Sequence, residues 1–486
     1  MQTLRYVLSL GSLMLIATLP LIAWLPEATW HDQQRIGQVV VMAVALVAAA
    51  IAHVGRSRAP LLDTRWRRFV VAILAAGALS AALARQPVWG MVEVALVVGS
   101  VAIAWLVAVT RRDVGPKADH VLFAVLCFTC AGLVSRFLVA YLSAVTNGEG
   151  ILNGWLLLDG FSNPRFYGQF LTLALPLLVV PLMAHGWLRR YAWPAGILAV
   201  LAWTVAITSG TRGTWLGMAV AAAVLSCVGT AGRRWAGMQL GAAVAGTMLF
   251  WLAMSVVPQW LGIEVANHAA ARLTTSLSLR EIIWTQAAEI VVRHPILGIG
   301  PMHLADLPNG VAAHPHQALL QWAAEWGVPS ALLVTMLVGY GAWAVLGVLR
   351  GRRESTNQED VFRLCVAGAL AASLVQAMVD GVLVMPYSQL WVALLGGWLL
   401  ALQPPKAGAG VVRPAPPHAG WGLAFAASVA MLAFVSVRDY PHLHQREEAF
   451  VKALGGHYQP RFWAQGVINL GEGSTVALEV APRARR

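Results

Sequence analysis

Charged residues are scarce in this sequence of 486 amino acids. Only 12% of the residues are Asp, Glu, Lys or Arg, whereas 58% are hydrophobic and the mean hydropathy is +0.66. A soluble protein has about a quarter charged residues, which cover its surface. The low charge therefore excludes a soluble enzyme and indicates a protein embedded in a bilayer.

Cysteine is also rare, and the glycine-rich loop that binds ATP is missing. The four cysteines all fall within long hydrophobic runs. Cys127 and Cys130 have the spacing of a redox or zinc pair, but no second ligand pair accompanies them, so small buried residues are the better interpretation. Because no GxxxxGK[ST] motif occurs, ATP-driven chemistry is unsupported.

About thirteen hydrophobic stretches are long enough to span a membrane as helices. We predict an all-α polytopic membrane protein with about 12–13 transmembrane helices and a large helical loop outside the bilayer. The expected spans lie near residues 6–26, 36–54, 68–85, 89–110, 120–145, 166–187, 190–208, 213–231, 237–257, 327–348, 361–383, 387–402 and 420–437. The corresponding regions are an N-terminal bundle of about nine spans (1–257), an outer loop (258–326), C-terminal spans (327–437) and an outer tail (438–486).

Lysine and arginine concentrate in alternate loops. If the N-terminus is cytoplasmic, the basic residues fall in cytoplasmic segments, and the short connections on the opposite side carry almost none besides Arg35 and Arg85. This asymmetry is the one that sets the orientation of membrane proteins. The net charge of +12 is thus explained by topology. Because the charges are spread over many segments, we expect no nucleic-acid partner.

The outer loop over 258–326 is too long to be an idle connection. Within it, Ser278 and Glu281 form a capping box, which predicts a helix that runs to about Arg293. Arg280 lies in its first turn, on the face that points toward the bundle. A guanidinium beside the free amides of a helix start is a good phosphate receptor. The alternative is an interfacial helix whose arginine reaches lipid headgroups.

A second segment of this loop contains His314 and His316. Pro315 between them suits the first position of a helix, which predicts His316 in the opening turn. The positive helix dipole there disfavours imidazolium, so we expect a neutral His316 that accepts a proton near pH 7. The alternatives are metal ligation by His303, His314 and His316, or hydrogen-bonded surface histidines. Metal is the least favoured because no cysteine or helical histidine pair is near.

Four further charged residues are expected within or at the ends of spans, where charge is costly. Arg212 lies in a turn between spans, and Asp380 lies near the outer end of another span. Ionisable residues at membrane depth are functional candidates by default. Arg136 and Glu93 belong to the same group, with a structural ion pair between helices as their alternative. Two arginines, a histidine and a carboxylate are therefore expected together on the outer side.

The motifs around these residues resemble those of a known family. His316-Gln317 is followed after nine residues by Gly327, which is similar to the histidine signature of the bacterial O-antigen ligase superfamily. That superfamily also contains O-antigen polymerases and protein O-oligosaccharyltransferases. The other elements that resemble it, all within residues 160–330, are Arg280-x-x-x-Trp284, His294-Pro295-x-Leu297-Gly298-x-Gly300, Thr208-Ser209-Gly210-Thr211-Arg212-Gly213 and Phe161-x-Asn163-Pro164.

The resemblance implies a metal-independent glycosyltransferase in the bacterial cytoplasmic (inner) membrane, with its active site facing the periplasm. It implies transfer of a glycan from undecaprenyl diphosphate to an acceptor hydroxyl. Arg212 and Arg280 would hold the diphosphate, and His316 would take the acceptor proton. Asp380 would orient that base or a sugar. No cofactor is expected, because the phosphoglycosyl bond supplies the energy. The further residues expected to contact substrate are Arg136, His314, Gln317, Trp284 and Asn163.

The motifs do not identify the acceptor. A ligase uses lipid A-core, a polymerase uses another lipid-linked glycan, and an oligosaccharyltransferase uses a protein hydroxyl. The tail over 438–486 is interpreted as a small helical or partly disordered appendage without a protein-binding module, which favours the ligase. A transporter or lipid flippase is the alternative of another class, but no repeated halves are found and the charged candidates cluster at one surface. A structural scaffold would leave the buried charges unexplained.

Overall fold

The computed structural model describes residues 2–53, 64–147, 151–266, 279–307, 311–404, 419–454 and 458–468. Within these ranges the protein is helical, apart from loops and two three-residue strands that pair in parallel, Ile151–Asn153 (β1) and Glu264–Ala266 (β2). The helices are α1 (Gln2–Thr18), α2 (Trp30–His53), α3 (Thr64–Leu83), α4 (Pro87–Val114), α5 (Pro116–Thr146), α6 (Pro164–Leu178), α7 (Val180–Met183), α8 (Ala192–Thr208), α9 (Arg212–Ser226), α10 (Thr230–Trp251), α11 (Val257–Leu261), α12 (Arg280–Arg293), α13 (Ala318–Trp326), α14 (Val328–Gly351), α15 (Gln358–Ala377), α16 (Pro386–Leu402), α17 (Ala419–Asp439) and α18 (Leu443–Leu454).

Each predicted span contains a helix at its expected place, and the all-α polytopic membrane fold is confirmed. Among the described residues, nine helices are long and apolar enough to cross a membrane. Two more, Tyr6–Thr18 and Pro386–Leu402, are apolar but shorter. The remaining two predicted positions hold α2 and α9.

The centre of the bundle is formed by α4 and α6. Helix α4 contacts α2, α3, α5, α16 and α17, and α6 contacts α5, α8, α9, α15 and α16. Every side chain of α6 from Tyr167 to Leu178 is buried. Phe170 packs against Tyr387 and Trp391 of α16, with ring centroids 5.3 and 5.6 Å apart, a spacing that suits tilted aromatic pairs. Helix α6 is therefore packed against its neighbours from Tyr167 onward.

One end of the bundle is joined by an ion-pair cluster, and we call it the basic end. Arg111 of α4 pairs with Asp119 of α5 at 3.0 Å and with Glu359 of α15 at 3.1 Å. Arg363 of α15 shares Glu359 at 3.0 Å and also pairs with Asp360. Two of the segments that the topology assigns to the cytoplasm, those around Arg111 and Glu359, therefore meet at this end.

The predicted outer segments meet at the opposite end, which we call the site end. Trp30 donates through Nε1 to Asp159 at 2.8 Å. Ser80 Oγ donates to the carbonyl oxygen of Leu297 at 2.6 Å, and the Gln86 amide donates to His303 Nε2 at 2.9 Å. This separation of the loops is the one that the predicted alternation of spans requires.

The outer tail differs from its prediction. Helix α18 agrees with a small helical appendage, but residues 458–468 are neither helical nor loosely attached. Arg461, Phe462 and Trp463 are almost completely buried against the bundle. Their anchoring is tertiary and leaves no periodic pattern in the sequence. The last part of the predicted tail, 469–486, lies outside the described residues.

None of the four cysteines, all of which lie in the described residues, forms a disulfide. Cys130 and Cys365 are buried, and Cys127 is half-buried. Cys227, for which only a place within a hydrophobic run was predicted, is exposed just after the end of α9. Burial as small apolar residues therefore describes Cys130 and Cys365 best.

Candidate active site

The two predicted histidines lie on a short segment between α12 and α13, residues 311–317, which we call the histidine strap. The Trp284 side chain of α12 donates through Nε1 to the Pro315 carbonyl oxygen at 2.8 Å. The Gln317 side chain accepts a hydrogen bond from the Leu320 amide and so caps α13. The strap is thus fixed by a helix at each end.

The helix that follows the histidines begins later than predicted. Helix α13 starts at Ala318 with Gln317 as its N-cap, so the prediction that Pro315 opens this helix with His316 in its first turn is wrong. The reason is that the Gln317 amide oxygen satisfies the free helix amide, a role that shorter polar side chains usually fill. His316 instead has a φ of 53°, in the left-handed region that non-glycine residues rarely adopt. Such strain persists where surrounding contacts hold it, often at functional sites.

Asp380 lies next to His316. Its Oδ1 is 3.8 Å from His316 Nδ1, which is buried and has no hydrogen-bond partner in the described part of the chain. The carboxylate follows the end of α15 and accepts hydrogen bonds from Gln376 Nε2 at 3.2 Å and from the Gly381 amide at 2.7 Å. A Cβ on Gly381 would lie 2.6 Å from His314 Cε1, so only glycine allows this close approach. The aspartate and the strap therefore form one unit.

Three arginines stand at the beginnings of three helices around this unit. Arg165 is the second residue of α6, Arg212 the first of α9 and Arg280 the first of α12. The starts of α6 and α9 are joined by a 3.0 Å hydrogen bond from Thr214 Oγ1 to the Gly168 carbonyl oxygen. Each helix start already carries positive potential, to which a guanidinium adds its charge. The arrangement favours an anion with several oxygens, such as a diphosphate.

The charges of these groups shift one another's pKa values. Burial, together with the positive charges of Arg280 and Arg165, lowers the pKa of His316 to about 3. Burial also lowers the pKa of Arg280, an effect that Asp380 opposes and that Arg165 and Arg212 reinforce. The low pKa agrees with the neutral His316 that the sequence predicts, but its causes are burial and the two arginines and not a helix dipole.

The pKa of His314 is lowered well below its usual value as well, first by burial and then by His316 and Arg461. The two imidazole rings lie 4.1 Å apart, and the His316 amide donates to His314 Nδ1 at 3.3 Å. His314 thus supports the backbone of its neighbour. Both rings are neutral near pH 7.

Helix α12 agrees with the prediction that Arg280 faces the bundle, but its N-cap differs from the predicted one. Ser278 lies outside the described residues, and the N-cap is Leu279, in a left-handed conformation without a side-chain cap. Helix α12 ends at Arg293 as predicted. Glu281 and Thr285 are exposed, whereas Arg280 is half-buried toward the bundle.

The nine-residue spacing in the histidine signature, between Gln317 and Gly327, corresponds to one helix. The nine residues between Gln317 and Gly327 are those of α13, for which Gln317 is the N-cap and Gly327 the C-cap. Gly327 has a φ of 82°, and a Cβ there would overlap the Ile296 carbonyl oxygen. The Pro295 carbonyl accepts from the Val328 amide at 2.8 Å. The His-Pro element and the histidine signature therefore pack against each other.

Some predicted residues have structural partners. Arg136 forms an ion pair with Asp159, which lies in a loop and not in a second helix, and it donates to the Leu21 carbonyl oxygen at 2.8 Å. The Asn163 side chain caps α6 by accepting from the Arg165 amide at 2.9 Å. Glu93 lies 3.6 Å from Arg461. The structure brings together His316, His314, Asp380, Arg280 and Arg212, with Trp284 and Gln317 holding the strap.

Arg165 and Arg461 are not among the predicted residues. Arg165 has a signal in the sequence, because it follows the Asn163-Pro164 helix start, where anions bind. Arg461 has none, because it lies in a non-periodic tail. It is 1% exposed and pairs with Glu325 at 2.6 Å.

His303 is not available for the alternative in which His303, His314 and His316 bind a metal. His303 interacts through Nδ1 with the Pro301 carbonyl oxygen at 2.8 Å and accepts through Nε2 from the Gln86 amide at 2.9 Å. Both ring nitrogens are therefore used within the protein. Across the described ranges, no group of three or more His, Cys, Asp or Glu side chains could hold a metal ion.

Comparison with known proteins supports the family drawn from the motifs. Residues 197–335 match the family model described as O-antigen ligase. The matched range contains Arg212, Arg280, His316 and Gly327, whereas Asp380 lies beyond it. No curated protein matches the chain. The match at residues 197–335 supports membership of the O-antigen ligase superfamily.

Proposed function

We propose that this protein transfers a glycan from undecaprenyl diphosphate to an acceptor hydroxyl, as an O-antigen ligase acting on lipid A-core. The observation that carries the proposal is the group of three arginines at three helix starts around one neutral, mostly buried histidine. Family membership supports glycosyl transfer of the ligase or polymerase type. The lipid diphosphate is the donor whose charge fits this group.

The arginines bind the diphosphate and stabilise it as it leaves. Arg212 and Arg280 would hold its oxygens, and Arg165 adds a third guanidinium. Guanidinium groups bind phosphate through paired hydrogen bonds. Charge on the diphosphate grows as its bond to the sugar breaks, so these groups act most strongly in the transition state, and a single donor of this kind is worth about 3 kcal/mol.

His316 acts as the general base. The acceptor hydroxyl oxygen attacks the anomeric carbon, its proton passes to His316 Nε2, and the bond from that carbon to the diphosphate oxygen breaks. Asp380 accepts a hydrogen bond from Nδ1 and holds this tautomer, closing the 3.8 Å gap when substrate binds. The bound diphosphate offsets the arginine charges and so raises the pKa of the base. The phosphoglycosyl bond supplies the energy, without a metal or a nucleotide.

The site end faces the periplasm in this proposal. The arginine-rich basic end then lies in the cytoplasm, as the usual distribution of lysine and arginine requires. The donor lipid remains in the outer leaflet of the inner membrane while its headgroup enters the site. His314, Gln317 and Trp284 contribute through the strap, and substrate contacts by Arg136 and Asn163 remain predictions.

The decisive experiment is reconstitution of the purified protein in liposomes with an undecaprenyl-diphosphate-linked glycan. Lipid A-core, a second lipid-linked glycan and a peptide with serine and threonine are offered in turn. We expect product on lipid A-core. Longer lipid-linked chains would indicate a polymerase, and a glycosylated peptide an oligosaccharyltransferase. Movement of the donor between leaflets without any transfer would contradict the enzyme and favour a flippase.

The pH dependence of this reaction follows from the low pKa of His316. The value of kcat/KM reports on groups of the free enzyme. Because the folded pKa of His316 is about 3, the base stays neutral as the pH falls from 8 to 5. We therefore expect no loss of kcat/KM near pH 6.5. A decline centred there and absent from the Asp380→Asn variant would contradict this environment of the histidine.

A further inference from the structure

Residues 458–468 pass into the site end of the bundle, and we call them the C-terminal brace. Their backbone is held by α2: Arg35 donates to the Arg461 carbonyl oxygen at 2.8 Å, and the Ala464 amide donates to Asp32 at 2.7 Å. The Ile468 amide donates to the Ala305 carbonyl oxygen at 3.0 Å. The brace is thus tied both to the bundle and to the outer loop that carries the site.

The side chain of Arg461 reaches from the brace toward the histidine strap. It pairs with Glu325 near the end of α13 at 2.6 Å and with Glu93 of α4 at 3.6 Å. Its Nη1 lies 3.5 Å from the carbonyl oxygen of Ala313, inside the strap. One guanidinium therefore contacts both the residue before His314 and the helix that follows the strap.

Glu325 is itself fixed from two sides. Its Oε1 accepts from the Leu304 amide at 3.1 Å, and its backbone oxygen accepts from Ser80 Oγ at 3.2 Å. Burying an ion pair costs desolvation and adds little stability compared with an apolar pair. We therefore expect the pair between Arg461 and Glu325 to fix the position of α13 more than to stabilise the fold.

We propose that the C-terminal brace positions the histidine strap for glycan transfer, with Arg461 as a positioning residue that acts through Glu325 and Ala313. The expected loss of transfer rate rests on the proposed function, whereas the positioning of the strap does not. A base displaced by about 1 Å loses on the order of 100-fold in rate. Arg461 touches neither Arg212 nor Arg280 in this scheme, so donor binding should not depend on it.

The test uses the full chain with Arg461→Met, which removes the charge but keeps an unbranched side chain. We expect kcat to fall about 100-fold, with KM for the donor unchanged. Arg461→Lys should recover part of kcat because it keeps the charge. Arg352→Met is the matched control, since Arg352 pairs with Asp360 at the basic end, away from both the brace and the strap, and should leave kcat unchanged. Hydrogen exchange measured by mass spectrometry should rise over residues 311–317 in Arg461→Met but not over Arg212–Ser226.

A double variant separates positioning from stability. Arg461→Met alone leaves buried carboxylates without their partner, whereas Glu325→Gln with Arg461→Met removes one charge of each sign. The double variant should therefore unfold closer to the wild-type temperature and still show low kcat. Wild-type kcat in the double variant, or unchanged exchange over 311–317 in Arg461→Met, would overturn the proposal. The exchange result does not depend on whether the protein transfers glycans, so the two proposals fail separately.

Discussion

Replacing His316 with alanine should lower glycan transfer by about a thousand-fold, because a positioned general base contributes about 10²- to 10⁴-fold. The side chain is mostly buried beside Asp380, and the other ring of the strap supports its backbone. Its loss removes the proton acceptor but leaves the arginines in place, so binding of the donor should persist. The measurement is the initial rate of transfer in the reconstituted system, with donor retention measured in parallel.

His444→Ala is the matched control for this variant. His444 is 79% exposed on α18 and pairs with Glu448 on the same helix, an exposed contact of little energetic value. It should keep the full rate. If His316→Ala folds normally and transfers glycan at the wild-type rate, the assignment of the base is wrong.

Replacing Arg280 with glutamine should lower kcat/KM about 100-fold, which corresponds to roughly 3 kcal/mol of transition-state stabilisation. Arg280 begins α12, where its guanidinium and the free amides of the helix reinforce each other. Glutamine keeps hydrogen-bonding capacity but removes the charge. The rate should fall with every acceptor, because the lost interaction is with the donor.

Arg293→Gln provides the control, because Arg293 ends the same helix with 73% exposure and an exposed ion pair to Glu289. Arg280→Lys should give an intermediate rate, since lysine keeps the charge but not the forked donors that match a diphosphate. A loss confined to one acceptor would place Arg280 at the acceptor and not at the donor. Equal rates for Arg280→Gln and Arg293→Gln would exclude it from the site.

Most helices of the bundle could be predicted from the sequence because each span is a long apolar run. Such runs form helices wherever backbone groups cannot reach water. The exposed face of α12 is visible for the same reason, since its period is helical. The local geometry of His316 is not visible. It depends on which residue caps α13: the helix-start signal in the sequence is Pro315, whereas the N-cap is Gln317, a residue type that rarely fills this role.

Arg165 and Arg461 show two other limits. Arg165 lies in a segment that was identified by its asparagine and proline, and its role depends on how α6 meets α9 in space. Arg461 lies 136 residues from its partner Glu325. Contacts at that separation arise from the packing of the whole chain and leave no local pattern.

The length of helix α13 sets the distance and the rotation between the histidine strap and the residue that contacts the brace, Glu325. Each residue of an α-helix advances it by about 1.5 Å and turns it by about 100°. One residue more or fewer between Gln317 and Gly327 would rotate Glu325 away from Arg461 while the strap stayed in place. The number of residues in this helix is therefore a stricter requirement than the identity of most of them. A chain with one residue more or fewer here would need a different contact in place of the one between Glu325 and Arg461.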